Sequence, residues 1–164
     1  MKIELFRMHR LQISALTIGT LFAWYTVATD YIFFYQIEGT VFRVRDCVVP
    51  NPVTTPCFWG AWAFVIALGA ALYIRRQSQT LQKKYQTWLA WFLVGGVLFA
   101  WSNFGYGFLK FIQNQGEPTI GCSGRIMTNP FTTPCFHGAL FFLVACMVGI
   151  LLAFHLHRLT RSEN

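Results

Sequence analysis

Four of the five cysteines form two pairs, Cys47 with Cys57 and Cys122 with Cys135, each in a stretch between long apolar runs. Paired cysteines at this spacing do one of two things. As a fixed disulfide, each pair staples its loop, and closing about ten to fourteen residues stabilises by about 3 kcal/mol on the chain-entropy account. As a cycling pair, they pass electrons by thiol–disulfide exchange. Four cysteines permit three pairings; Cys47–Cys57 with Cys122–Cys135 treats the two loops alike. Cys146 lies inside an apolar run and has the character of a small buried hydrophobe.

The second cysteine of each pair has an informative setting. Thr55-Pro56-Cys57 and Thr133-Pro134-Cys135 both look like helix starts. Threonine is a capping residue, and proline suits the first helical position because its missing N–H would have no partner there. The spacing predicts that Thr55 and Thr133 cap and that Cys57 and Cys135 lie in the first turn. A helix N-terminus favours a thiolate. The Asn-Pro upstream of each predicts a turn feeding the helix.

The segments that must hold these cysteines are hydrophobic. Apolar residues make up 55% of the 164, and charged residues only 12%, against roughly 25% in an ordinary soluble domain. Four runs approach the ~20 residues that cross a bilayer: about Leu11–Ile37, Phe58–Ile74, Gln86–Ile112 and Phe136–His155. The first and third are long enough to tilt or to project on the outer side. The net charge of +7 does not mark a nucleic-acid binder, because the basic residues form no stripe. They cluster at the ends of the apolar runs: Lys2, Arg7 and Arg10; Arg75, Arg76, Lys83 and Lys84; Arg158 and Arg161. The positive-inside rule then predicts cytoplasmic termini, with the cysteine loops on the periplasmic or lumenal side of, most simply, a bacterial inner membrane.

The chain repeats itself. Asn51 to Gly60 and Asn129 to Gly138 agree at eight of ten positions, and Phe22-Ala23-Trp24 recurs as Phe99-Ala100-Trp101. The expected fold is all-α, a single membrane domain over 1–164. It is a polytopic four-helix bundle of two parallel helix–loop–helix repeats, about 11–76 and 86–155, related by a pseudo-twofold axis along the membrane normal. Because the first run has a counterpart in the second half, it is expected to stay uncleaved.

Membrane helices pack through small residues. Ala15, Gly19 and Ala23, then Gly96 and Ala100, Ala67 and Ala71, and Ala145, Gly149 and Ala153 fall at four-residue spacing and predict seams. Trp59, Trp62, Trp88 and Trp91 are expected at the membrane interfaces. Trp24 and Trp101 are equivalent and deep; they either fill space between helices or wall a flat cofactor. Thr26 and Asn103 are expected to bond across helices, and Asp30 with Lys110 either to pair near the outer interface or to reach separately for headgroup water.

Four helices, cytoplasmic termini and a cysteine pair in each outer loop resemble the disulfide-bond-forming quinone oxidoreductases of the DsbB type. The stretch Cys47…Asn51-Pro52…Cys57 is similar to a loop of the related vitamin K epoxide reductases. The resemblance lies in topology and this short motif, and no Cys-x-x-Cys occurs. It implies that Cys47, Cys57, Cys122 and Cys135 carry electrons from a thiol protein to a membrane quinone, with Arg43, Arg45 or Arg125 steadying a quinone oxygen.

The residues themselves call for no resident cofactor or metal. The sequence leaves three readings. The first is an accessory, assembly or interaction subunit held among other membrane proteins, with stapled loops. The second is a quinone-linked thiol–disulfide oxidoreductase. The third is a small-solute carrier.

Overall fold

A computed structural model of the protein describes residues 2–40, 49–121 and 124–161. Four helices dominate: α1 (Lys2–Glu38), α2 (Pro56–Arg75), α3 (Gln79–Gln113) and α4 (Pro134–Arg161). All four are long and apolar enough to cross a membrane. The protein is an all-α four-helix bundle, and its apolar exterior calls for lipid as surrounding solvent.

The helices outrun the predicted spans mainly at the basic ends. α1 begins at Lys2 rather than Leu11, α3 at Gln79 rather than Gln86, and α4 continues to Arg161. Hydropathy stops at the first charges, but backbone hydrogen bonding carries on into water. At the far ends, α1 and α3 stop at glycines in left-handed conformation. Gly39 has φ 68° and Gly116 has φ 82°, a region closed to most side chains. Gly39 N–H bonds the Tyr35 carbonyl and Gly116 N–H bonds that of Phe111.

Each helix packs on two others in a ring, α1 on α2, α2 on α3, α3 on α4 and α4 on α1, with α2 and α4 also touching across the centre. The core contains Leu16, Phe64, Ala67, Leu93, Phe142 and Ala145. These are three pairs of repeat counterparts. Phe64 and Phe142 meet ring on ring with centroids 4.0 Å apart and a tilt of 31° between their planes. Of the predicted seam residues, Gly19, Ala67, Ala71, Ala145 and Gly149 are buried.

At the basic end the core turns polar. His9, Gln12, Gln82 and Gln86 are all buried. Gln86 Nε2 donates to the Gly149 carbonyl at 3.1 Å, tying α3 to α4. Neither amide atom of Gln12 has a hydrogen-bond partner among the described residues.

Between α3 and α4 a two-stranded hairpin, β1 (Thr119–Ile120) and β2 (Ile126–Met127), pairs antiparallel with Thr119 opposite Met127. It lies on the side of α1, where Arg125 reaches Asp30. The Nε–Oδ1 separation is 3.6 Å. Arg125 Nη2 also donates to the Thr29 carbonyl at 2.8 Å, and the guanidinium covers the Phe33 ring. Of the two expectations for Asp30 and Lys110, the pairing of one with the other is not formed, because Arg125 takes Asp30. Lys110 instead places its ammonium 4.6 Å from the centroid of the Tyr106 ring, one turn back on its own helix.

Candidate functional site: two sulfurs above an apolar crevice

The two Asn-Pro-x-Thr-Thr-Pro segments fold alike. Asn51 Oδ1 accepts from Val53 N–H at 3.0 Å, and Asn129 Oδ1 from Phe131 N–H at 2.9 Å. Each asparagine starts a single 3₁₀ turn, Pro52–Thr54 and Pro130–Thr132. Thr55 and Thr133 then turn the chain in extended conformation, and α2 and α4 begin on the prolines. The threonines stand at the expected N-cap positions, but their hydroxyls face backwards. Thr55 Oγ1 donates to the Pro52 carbonyl at 2.7 Å and makes no cap bond to α2. Thr133 Oγ1 donates to Pro130 at 2.6 Å and accepts only a long 3.4 Å bond from Phe136 N–H. The hydroxyl therefore braces the turn before the helix.

That bracing fixes where the next cysteine goes. Cys57 and Cys135 both lie in the first helical turn, half-buried, and their sulfurs meet at 3.6 Å. A disulfide is about 2.05 Å long, so the two are in contact without being bonded to each other. Their partners in the expected loop pairings, Cys47 and Cys122, lie outside the described residues, as do Arg43 and Arg45.

Below the sulfurs opens a crevice of about 490 Å³, part of it open to the surroundings. Phe22, Ala23 and Thr26 of α1 face Phe99, Ala100 and Asn103 of α3 across it. Pro56, Cys57 and Gly60 of α2 answer Pro134, Cys135 and Gly138 of α4, and the stacked Phe64 and Phe142 close the bottom. Every lining residue has its repeat counterpart among the others.

Thr26 and Asn103 do not bond across helices. Thr26 Oγ1 donates to the Phe22 carbonyl at 3.0 Å and Asn103 Nδ2 to the Phe99 carbonyl at 2.7 Å, each within its own helix. Self-satisfaction leaves both on the crevice wall and keeps the two helices apart there. Trp24 and Trp101 stay outside the crevice. Trp24 meets Phe58 edge-on and Trp101 meets Phe136 in the same way, with centroids 6.5 and 6.4 Å apart. They pack between helices behind the sulfur-bearing turns. Arg125 is likewise away from the crevice, on Asp30.

The facing of Cys57 and Cys135 was not expected from the loop pairing, yet a signal for it was present. The two cysteines hold the same place in the two matching ten-residue segments, Asn51 to Gly60 and Asn129 to Gly138. His137, in the position equivalent to Trp59, has its Nδ1–H donating to the Thr133 carbonyl at 2.9 Å.

Two sulfurs in helix first turns, in contact but not joined to each other, can do three things. They can close into a disulfide joining α2 to α4, accept a disulfide by exchange, or present two thiols to an electron acceptor in the crevice. No known protein family, curated protein or solved structure matches this chain.

Proposed function

We propose that this protein is a membrane thiol–disulfide oxidoreductase in which Cys57 and Cys135 are the exchanging pair. One observation carries the reading: two sulfurs from separate helix N-termini, 3.6 Å apart, close to the separation at which reacting atoms attack. Helix N-termini favour the thiolate that exchange requires.

The chemistry balances simply. The Cys57 thiolate attacks Cys135 of a Cys122–Cys135 disulfide. The Cys57–Cys135 bond forms, the Cys122–Cys135 bond breaks, and Cys122 leaves as a thiolate that takes up a proton. No electrons are gained or lost in that step. Net turnover takes two electrons and two protons from a substrate dithiol and gives them to a membrane quinone, which becomes the quinol. The apolar crevice beneath the sulfurs is the place for such an acceptor.

The clustering of Lys and Arg at the opposite end supports cytoplasmic termini with the sulfurs toward the outer face, which in a bacterial inner membrane is oxidising. The matched lining of the crevice supports two repeats related by a pseudo-twofold axis.

Thiol labelling of isolated membranes, with and without a mild reductant and a quinone analogue, tests this. The expected result is a mixed thiol–disulfide population that shifts with quinone. If every molecule holds the same reductant-resistant disulfides and ignores quinone, the pair is a staple and the chain is an accessory subunit of a membrane complex.

A further inference from the structure

A second space opens beside the sulfurs, between α3 and the hairpin. It measures about 530 Å³, part of it open to the surroundings. Cys135 and Asn103 line both this pocket and the crevice, whereas Cys57 lines the crevice and not the pocket. Cys135 is thus the sulfur approached from two sides. From it the pocket runs along α3 to Lys110, with Phe104 and Phe108 contributed by α3 and Met127 and Pro130 by the hairpin and the turn after it. Asn103 to Lys110 is seven residues, about 10 Å of helix at 1.5 Å per residue. The ammonium leans back over the Tyr106 ring and shortens that span.

The other half of the molecule shows how the equivalent place is filled. The counterparts of Tyr106, Gly107 and Lys110 on α1 are Thr29, Asp30 and Phe33. Arg125 engages all three: it donates to the Thr29 carbonyl, pairs with Asp30 and covers the Phe33 ring. There a carboxylate on the helix receives a cation. On α3 the signs are exchanged. Gly107 stands in the place of Asp30, and a methyl on it would meet nothing within 4 Å. The charge that lines the pocket is the Lys110 ammonium, and no Asp or Glu lines it. Among the described residues Lys110 has no carboxylate partner. A sulfur at one end, apolar walls between and a cation at the other end suit a guest with a thiol, a short aliphatic chain and a carboxylate.

We propose that this pocket is the electron-donor site and that its substrate is a small apolar dithiol carrying a carboxylate. The carboxylate pairs with Lys110, the chain lies along Phe104 and Phe108, and a thiol reaches Cys135. The assignment rests on Cys57 and Cys135 being the exchanging pair. The donor's first thiolate attacks Cys135 of a Cys57–Cys135 disulfide. The donor–Cys135 bond forms, the Cys57–Cys135 bond breaks, and Cys57 leaves as a thiolate facing the crevice. The donor's second thiolate then closes the donor's own disulfide and expels Cys135. The donor is oxidised by two electrons and the cysteine pair is reduced by two. The two protons shed by the donor thiols follow the electrons to the quinone.

The test uses the full chain in detergent, with a short-chain ubiquinone as acceptor and two donors alike except in charge. Dihydrolipoate carries a carboxylate, and dihydrolipoamide is its neutral amide. Wild-type protein should oxidise dihydrolipoate with a KM about fivefold lower, the upper end of what one exposed ion pair supplies. Lys110→Gln should bring the two KM values together, and Lys110→Arg, which keeps the charge, should restore the gap. Acid-quenched turnover mixtures should carry the donor on Cys135 and not on Cys57, a readout that needs no substitution. Equal KM values in wild-type protein, with quinone-dependent turnover of both donors, would overturn the pocket and leave the exchange reading standing. An adduct on Cys57 in place of Cys135 would do the same. Turnover of neither donor would overturn both.

Discussion

Phe64 and Phe142 lie ring on ring in the middle of the bundle, and each also covers a glycine of a neighbouring helix. A methyl on Gly96 would stand 2.6 Å from the Phe142 ring, and one on Gly19 would collide with Phe64 in the same way. Gly19→Ala and Gly96→Ala must therefore push apart the stacked pair and the floor of the crevice. Each should cost about 1–3 kcal/mol, the usual penalty of overpacking. Gly69→Ala and Gly95→Ala, with nothing within 4 Å of the new methyl, should be neutral or stabilise by up to about 1 kcal/mol. Unfolding from mixed micelles by sodium dodecyl sulfate measures all four; equal effects at the two sets would contradict the packing.

The sulfur pair makes its own prediction. In a Cys47→Ser/Cys122→Ser variant, a mild oxidant should join Cys57 to Cys135, leaving Cys146 as the single labelled thiol after unfolding. Cleavage between α2 and α3 would then leave fragments that part only on reduction. Two fragments separating without reductant would show that the sulfurs do not meet.

Asp30 is 4% exposed and Arg125 lies against it. Removing the cation strands a buried carboxylate, whereas removing the carboxylate's charge strands nothing buried. Arg125→Ala should cost about 1–3 kcal/mol. Asp30→Asn should cost less, and the double variant no more than Arg125→Ala alone. Strict additivity of the two would count against the pair.

Gln12 is fully buried with neither amide atom partnered among the described residues, and its repeat counterpart is Leu89. Gln12→Leu removes an unpaired polar group in favour of the residue the other half uses. It should be neutral or stabilising. Gln86→Leu breaks the bond to Gly149 and should destabilise by about 0.6–2 kcal/mol. The same micelle unfolding assay ranks them, and a Gln12→Leu loss exceeding that of Gln86→Leu would refute the assignment.

Much of the fold was legible in the residues. Runs of apolar side chains locate membrane helices because lipid demands them, and the small residues Gly19, Ala67 and Ala145 announced close packing at seams where they are indeed buried. The helix starts at Pro56 and Pro134 were legible from local chemistry alone. What escaped were choices between partners. Asp30 had Lys110 as its neighbour in depth, but a loop cation 95 positions away reached it, because a hairpin can carry Arg125 to α1 while Lys110 is fixed to its own helix. Thr26 and Asn103 had own-helix carbonyls within reach and took them, since an i−4 bond needs no second helix. Cys57 and Cys135 met because of how the two hairpins pack, a relation that no spacing within one loop contains.

The crevice beneath the sulfurs has a consequence for whatever enters it. Seven of its eight residue pairs are identical in type, and only Thr26 opposite Asn103 breaks the match. A guest would meet nearly the same wall on either side and could settle in two orientations of almost equal energy. A hydroxyl confronting a carboxamide is then the whole of the vocabulary by which the protein tells left from right.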